Sequence, residues 1–210
     1  MLLKNLLLIL KTPANVFTLL ALFLFILFLL HLKKIKITTT MLVYIGLMLA
    51  LSFLLHQIRF FHMPQGGSIT CGGMIPLLLI TYRYGMEIGA LTGFLYGLLN
   101  LLLDPFMLHP LQVIFDFPLP YMVLSLAALW KHHRFLSTAL AFSARFLCHF
   151  ISGIVFFDSY APAGSNILLY SLSFNASYLL PEYIITFILL KIMPLNRLIN
   201  AMDKTNLRRF

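Results

Sequence analysis

The sequence predicts an all-α membrane protein, a bundle of six transmembrane helices preceded by one extra apolar N-terminal helix. Three observations carry this. Of 210 residues, 61% are apolar and 10% charged, whereas soluble domains average about 45–50% and about 25%. Six acids are present (Glu87, Asp104, Asp116, Asp158, Glu182 and Asp203), too few polar groups to cover a soluble surface. Apolar runs also recur near the ~20 residues needed to cross a bilayer core. Lipid demands that backbone polar groups pair within a helix or a closed barrel. The period-two alternation of a barrel strand is missing, so the runs are helices. The apolar excess excludes a disordered chain. The net charge of +9 is spread between apolar runs, which reads as membrane orientation and not as a nucleic-acid face.

The elements follow in order. The first apolar run, 15–32, resembles a signal peptide in position. Its apolar stretch is too long for a signal core, and Lys33, Lys34 and Lys36 follow it in place of small cleavage-site residues. It is read as a retained helix, so that 1–37 forms an apolar helix and basic linker. The core, 38–195, holds spans at about 41–60, 73–84, 87–103, 110–130, 135–157 and 176–193. The span at 73–84 is short and follows glycine, which suits a helix packed inside the bundle or one that starts below the interface. Residues 196–210 form a basic tail. Cys71 and Cys148 are far apart, without a Cys-x-x-Cys pair, and read as small apolar packers.

Alternating the six core spans from a cytoplasmic start leaves Lys33, Lys34, Lys36, Arg83, Lys131, Arg134, Lys191, Arg197, Lys204, Arg208 and Arg209 inside. Outside there is only Arg59. This is a strong positive-inside bias. It predicts a multi-pass protein of a bacterial cell membrane with both ends of the core in the cytoplasm. Three segments, 61–73, 104–109 and 158–175, then share the outer face.

Ionisable residues inside spans are costly and mark function by default. Asp116, Arg145, His149 and Glu182 are the candidates. Gln112 and Asp116 share a helix face, as do Arg145 and His149, each pair four residues apart. Asn175, Tyr178 and Glu182 share another. Three polar stripes can only face one another, which predicts a polar cavity in the outer half of the membrane. Arg145 and Glu182 also fit a structural ion pair between helices. Asp116 lies beside Phe115, Phe117 and Tyr121, a setting that suits a delocalised cation held by a carboxylate and ring faces. No Gly-x-Ser-x-Gly, His-Glu-x-x-His or Walker motif occurs, so no ATP-driven step is expected of this chain alone.

Ordered strings sharpen the reading. They are Gln65-Gly-Gly-Ser-Ile-Thr70, Gly73-Met-Ile-Pro76, Tyr82-Arg-Tyr-Gly85, Gly89-Ala-Leu-Thr-Gly93-Phe-Leu-Tyr96-Gly97 and His109-Pro-Leu-Gln112. Asp116-Phe-Pro118, Arg145 with His149-Phe-Ile-Ser-Gly153, Tyr170-Ser171, Asn175 and Pro181-Glu182 complete the set. Over residues 38–195 the set resembles the ThiT (YuaJ) family, the thiamine-specific substrate-binding S-components of energy-coupling-factor (ECF) transporters.

The resemblance implies a six-helix bundle that captures thiamine from outside. It needs no cofactor or metal, and it would be energised by a separate transmembrane coupling protein and two ATPase subunits. It implies ligand contact by Asp116, His149, Tyr170 and Asn175, with Phe157 and Tyr96 standing where relatives carry Trp. Phe117, Gln112 and Arg145 join them, and Gly67 sits in a lid at 65–72. Asp116 replaces a longer Glu of some relatives, and Gly67 replaces a ring. On the first core helix Gly46 and Ala50, with Ser52 nearby, would dock the coupling protein, since small residues four apart allow close helix approach. Two alternatives stand beside this reading. One is an S-component for another vitamin or a thiamine precursor. The other is an intramembrane enzyme pairing His149 with Asp116, for which Ser152 is the available nucleophile.

Overall fold

The computed structural model describes Ile26, Leu27, Leu30 and His31, then residues 36–130 and 132–204. The first expected span, 15–32, therefore lies almost wholly outside the described residues, as does the end of the basic tail. The chain forms two compact units, Met1–Lys36 and Ile37–Phe210. The second holds the bundle and the site.

Helix α1, Thr39–Gln57, begins where the Thr38 hydroxyl accepts the Met41 N–H, which satisfies one of the unpaired donors of a helix start. A hairpin follows, with strand β1 (Arg59–His62) antiparallel to β2 (Ser68–Thr70). Helix α2, Ile75–Tyr84, has ten residues, and Ile75 through Thr81 are all buried. At ~1.5 Å per residue it spans about half a bilayer core, so it packs within the bundle as the sequence suggested. Gly85, with φ 87°, makes the sharp turn into helix α3, Met86–Leu103.

The expected single span at 110–130 is broken. Helix α4, Pro110–Asp116, stops at Phe117, and helix α5, Pro118–Met122, restarts and tightens into a 3-10 turn over Val123–Ala128. Pro118 has no N–H to continue α4, and its ring disfavours helical backbone in the residue before it. The break is held by α3. A side chain at Gly97 would fall 2.5 Å from Pro118 Cα, and one at Gly93 would run into the Tyr121 carbonyl. Two glycines one helical turn apart thus let α3 approach the kinked backbone.

Helix α6, Arg134–Phe156, packs against both the 3-10 turn and helix α7, Ile167–Ile192. Helix α7 starts nine residues before the expected position, at an Asn166 cap whose Oδ1 accepts the Leu168 N–H at 2.9 Å. Helix α8, Leu195–Lys204, follows Pro194 and packs Ile199 and Met202 into the core beside α2. The segment read as a basic tail therefore opens as a helix. Five described stretches are long and apolar enough to cross a membrane: Thr39–Gln57, Met86–Leu103, Pro110–Ala128, Arg134–Phe156 and Ile167–Ile192. Cys71 and Cys148 are both free.

Candidate functional site

The break after α4 leaves Asp116 on the last turn of a short helix, with its carboxylate free to face inward. Gln112, one turn earlier, donates from Nε2 to Asp116 Oδ2 at 2.6 Å. The same amide holds the preceding loop, since Nε2 also reaches the Phe106 carbonyl at 3.1 Å and Oε1 accepts the Leu108 N–H at 3.0 Å. Across from α4, His149 on α6 brings Nδ1 to 3.4 Å from Asp116 Oδ1. Its other ring nitrogen, Nε2, is buried without a partner.

Helix α7 supplies the facing polar stripe. Asn175 Nδ2 donates to the Ser171 carbonyl at 2.9 Å and to the His149 carbonyl at 3.3 Å, and Asn175 Oδ1 accepts from the Tyr178 hydroxyl at 3.0 Å. Gly153 on α6 makes this crossing possible, because a side chain there would collide with Ser171 Oγ. Arg145, one turn from His149, lays its guanidinium 4.7 Å over the Tyr121 ring. Its Nε and Nη1 are buried and unpartnered.

Together these side chains enclose a cavity with roughly 870 Å³ of empty space, its mouth included. Asp116, His149, Tyr170, Asn175, Phe157, Phe117, Gln112, Arg145 and Gly67 all line it. Rings form much of its wall. Phe157 stacks on Phe106 with centroids 5.8 Å apart, and Tyr178 meets Phe174 edge to face at 6.1 Å. The hairpin loop covers one side. Gly67, at φ 94°, brings its backbone against the Tyr178 ring, where a Cβ would sit 2.8 Å from Cζ.

The hairpin has two anchors. On the rim, Arg59 Nη1 bonds Asp104 Oδ2 at 2.8 Å. In the interior, Glu182 Oε1 accepts from the Thr70 hydroxyl at 2.6 Å and Oε2 from the Thr70 N–H at 2.5 Å. This corrects the expected Arg145–Glu182 ion pair. Spacing along α7 fixed the face Glu182 occupies but not the neighbour it meets there, and that neighbour is the end of β2.

Three other expectations fall elsewhere. Tyr96 is 2% exposed and does not line the cavity. It stands behind Tyr121, edge to face at 4.8 Å, and supports the wall from outside. Ser52 is wholly buried and its carbonyl accepts the Tyr96 hydroxyl at 3.5 Å, so it is not on the exposed stripe that Gly46 and Ala50 share. Ser152 is also wholly buried, makes no bond to His149 and lies off the cavity. The cavity adds His56, Asn100, Asp104, Phe106 and Phe174, which the sequence reading did not select. His56 was within its reach, being an ionisable residue inside the 41–60 span.

Membrane-length helices closing a polar, ring-lined cavity under a hairpin define a membrane-embedded protein that binds a small molecule. Comparison with known proteins narrows the class. Residues 42–201 match the family described as Thiamine transporter protein (Thia_YuaJ). The chain is 35% identical over 148 residues to the thiamine transporter ThiT of Bacillus subtilis, covering 62% of this chain and 77% of that one. It is 28% identical over 141 residues to ThiT of Lacticaseibacillus paracasei, covering 58% and 70%. A solved structure of ThiT from Listeria monocytogenes superposes with a TM-score of 0.66 over 76% of this chain and 96% of that one, at 22% identity, which shows a shared fold. The chain belongs to the Thia_YuaJ thiamine transporter family. It is a multi-pass membrane transport protein and not an enzyme.

Proposed function

We propose that this chain is the substrate-binding subunit of an ECF-type transporter and captures thiamine in the cavity from the outer face. One observation carries the reading: of the two carboxylates that line the ring-lined cavity, Asp104 is bonded to Arg59 at the rim, while Asp116 has, among the described residues, Gln112 and His149 as its side-chain partners. Thiamine joins a quaternary thiazolium cation to an aminopyrimidine. The ring faces of Phe157, Phe117 and Tyr170 attract the cation. Asp116 balances its charge or accepts its amino group. His149 Nε2 and the Asn175 and Tyr170 polar atoms supply directional hydrogen bonds. A buried polar atom without a partner costs about 1–3 kcal/mol, so a ligand that pairs with His149 Nε2 recovers that cost.

The hairpin loop around Gly67 closes over the ligand, and the cavity then holds it away from water. Release inside needs energy that this chain has no motif to supply. A transmembrane coupling protein and two ATPases supply it, with Gly46 and Ala50 on α1 as the docking stripe. Helix α1 suits that role, because it is the least buried of the five membrane-length stretches. The positive-inside bias supports a cytoplasmic position for both ends of the core. Native mass spectrometry of protein purified after exposure to thiamine tests the reading. A retained adduct of thiamine's mass is expected, and a ligand-free spectrum alongside a folded protein contradicts it.

A further inference from the structure

At the end of the bundle opposite the cavity, α6 begins, α7 ends and α8 begins. A second, open groove forms there. Its basic lining is Arg134, Lys191 and Arg197 beside His132, and among the described residues no carboxylate lines it. Among the described residues these cations have no anionic partner. Arg134 Nη1 donates to the neutral Asn196 Oδ1 at 2.8 Å and its guanidinium lies over the Tyr82 ring at 5.8 Å. Lys191 Nζ sits 5.2 Å over the Phe187 ring. Cations set against ring faces and a neutral amide keep their attraction for an anion.

The rest of the lining is apolar: Phe135, Leu190, Met193 and Leu195. This apolar character continues along the helices into the membrane-facing surface, where Leu136 on α6 is 60% exposed and Ile188 and Ile192 on α7 are 49% and 75% exposed. Trp130, 43% exposed, stands at the same end, as tryptophans do at a membrane–water boundary. Helix α8 buries Ile199 and Met202 and so holds the Arg197 side of the groove in place. A basic pocket between membrane helices, opening onto an apolar helix face, matches an amphiphile with a negative head and long chains. A free anion has no use for the apolar half.

We propose that this groove binds the headgroup of an anionic phospholipid, with Arg134, Lys191 and Arg197 on the phosphate and an acyl chain running along Leu136, Ile188 and Ile192. The proposal does not depend on the identity of the ligand in the cavity. Native mass spectrometry of the full chain in detergent, titrated with phosphatidylglycerol or with phosphatidylcholine of the same acyl chains, tests it. Phosphatidylglycerol adducts should persist at markedly lower lipid concentration. The preference should fall about fivefold for each charge removed, and so by about a hundredfold in R134Q/K191Q/R197Q. K191Q/R197Q, which spares the Arg134–Asn196 bond, serves if the triple variant does not fold. Equal retention of the two lipids overturns the proposal, as does unchanged retention in the variants, which leaves the groove to a protein partner. Inorganic phosphate that displaces phosphatidylglycerol at the lipid's own concentration also overturns it, because the site is then one for a free anion.

Discussion

Thr70 and Glu182 are 112 residues apart, yet they form the tightest polar contact of the hairpin. Glu182 is 1% exposed and Thr70 wholly buried, and a buried carboxylate must be hydrogen-bonded to be tolerated. Thr70→Val keeps the shape and the backbone N–H but removes the 2.6 Å hydroxyl bond. It should cost about 1–3 kcal/mol of stability, seen as a lower thermal unfolding midpoint in detergent. An unchanged midpoint would mean that Glu182 does not depend on the Thr70 hydroxyl. Gly67 tests the other half of the hairpin. Its φ of 94° and its closeness to Tyr178 both exclude a branched side chain. Gly67→Val should lift the loop from the cavity and speed ligand release about tenfold or more, while the unfolding midpoint moves by little. Strain at one loop residue of about 1–3 kcal/mol sets that scale.

At the scale of elements, the polar faces were legible because helical period is a property of the chain alone. Gln112 with Asp116, Arg145 with His149, and Asn175 with Tyr178 and Glu182 each fall on one face in the structure as their spacing requires. Partners across the bundle were not legible. Glu182 meets Thr70 where Arg145 was expected, and Tyr96 backs Tyr121 where it was expected to line the cavity. The hairpin was missed because three- and four-residue strands carry almost no periodic signal. The early start of α7 was missed because Ser171 and Asn175, polar residues that face the cavity, lower the apolar content of its first turns. The break after Asp116 had a signal in Pro118 and Pro120, masked by the long apolar run around them. That break rests on Gly97, so Gly97→Leu should force α3 away from Pro118, displace Asp116 and weaken both fold and binding. Overpacking of this kind costs about 1–3 kcal/mol. An unchanged melting profile and affinity would contradict the packing described.

At the scale of the whole molecule, the cavity lies at one end of the bundle and the basic groove at the other, with an exposed small-residue stripe on α1 along the side. Ligand capture in the cavity and the proposed docking on α1 are therefore separable. Gly46→Leu with Ala50→Leu should leave thiamine binding by the purified chain unchanged and abolish thiamine uptake in cells that also carry the energising module. Loss of binding in the purified double variant would show that the stripe serves internal packing. The membrane class was set by the scarcity of charge, and the same scarcity makes Asp116 stand out, since among the described residues its one ionic partner is His149. In the proposed binding mode this carboxylate holds the ligand's cationic end. Titration calorimetry of thiamine into purified parent and Asp116→Asn protein tests it most directly. A loss of about 2–4 kcal/mol, roughly 30- to 1,000-fold in affinity, is expected for removing one partner of a desolvated charge pair. Equal affinity of a folded Asp116→Asn protein and its parent would contradict it.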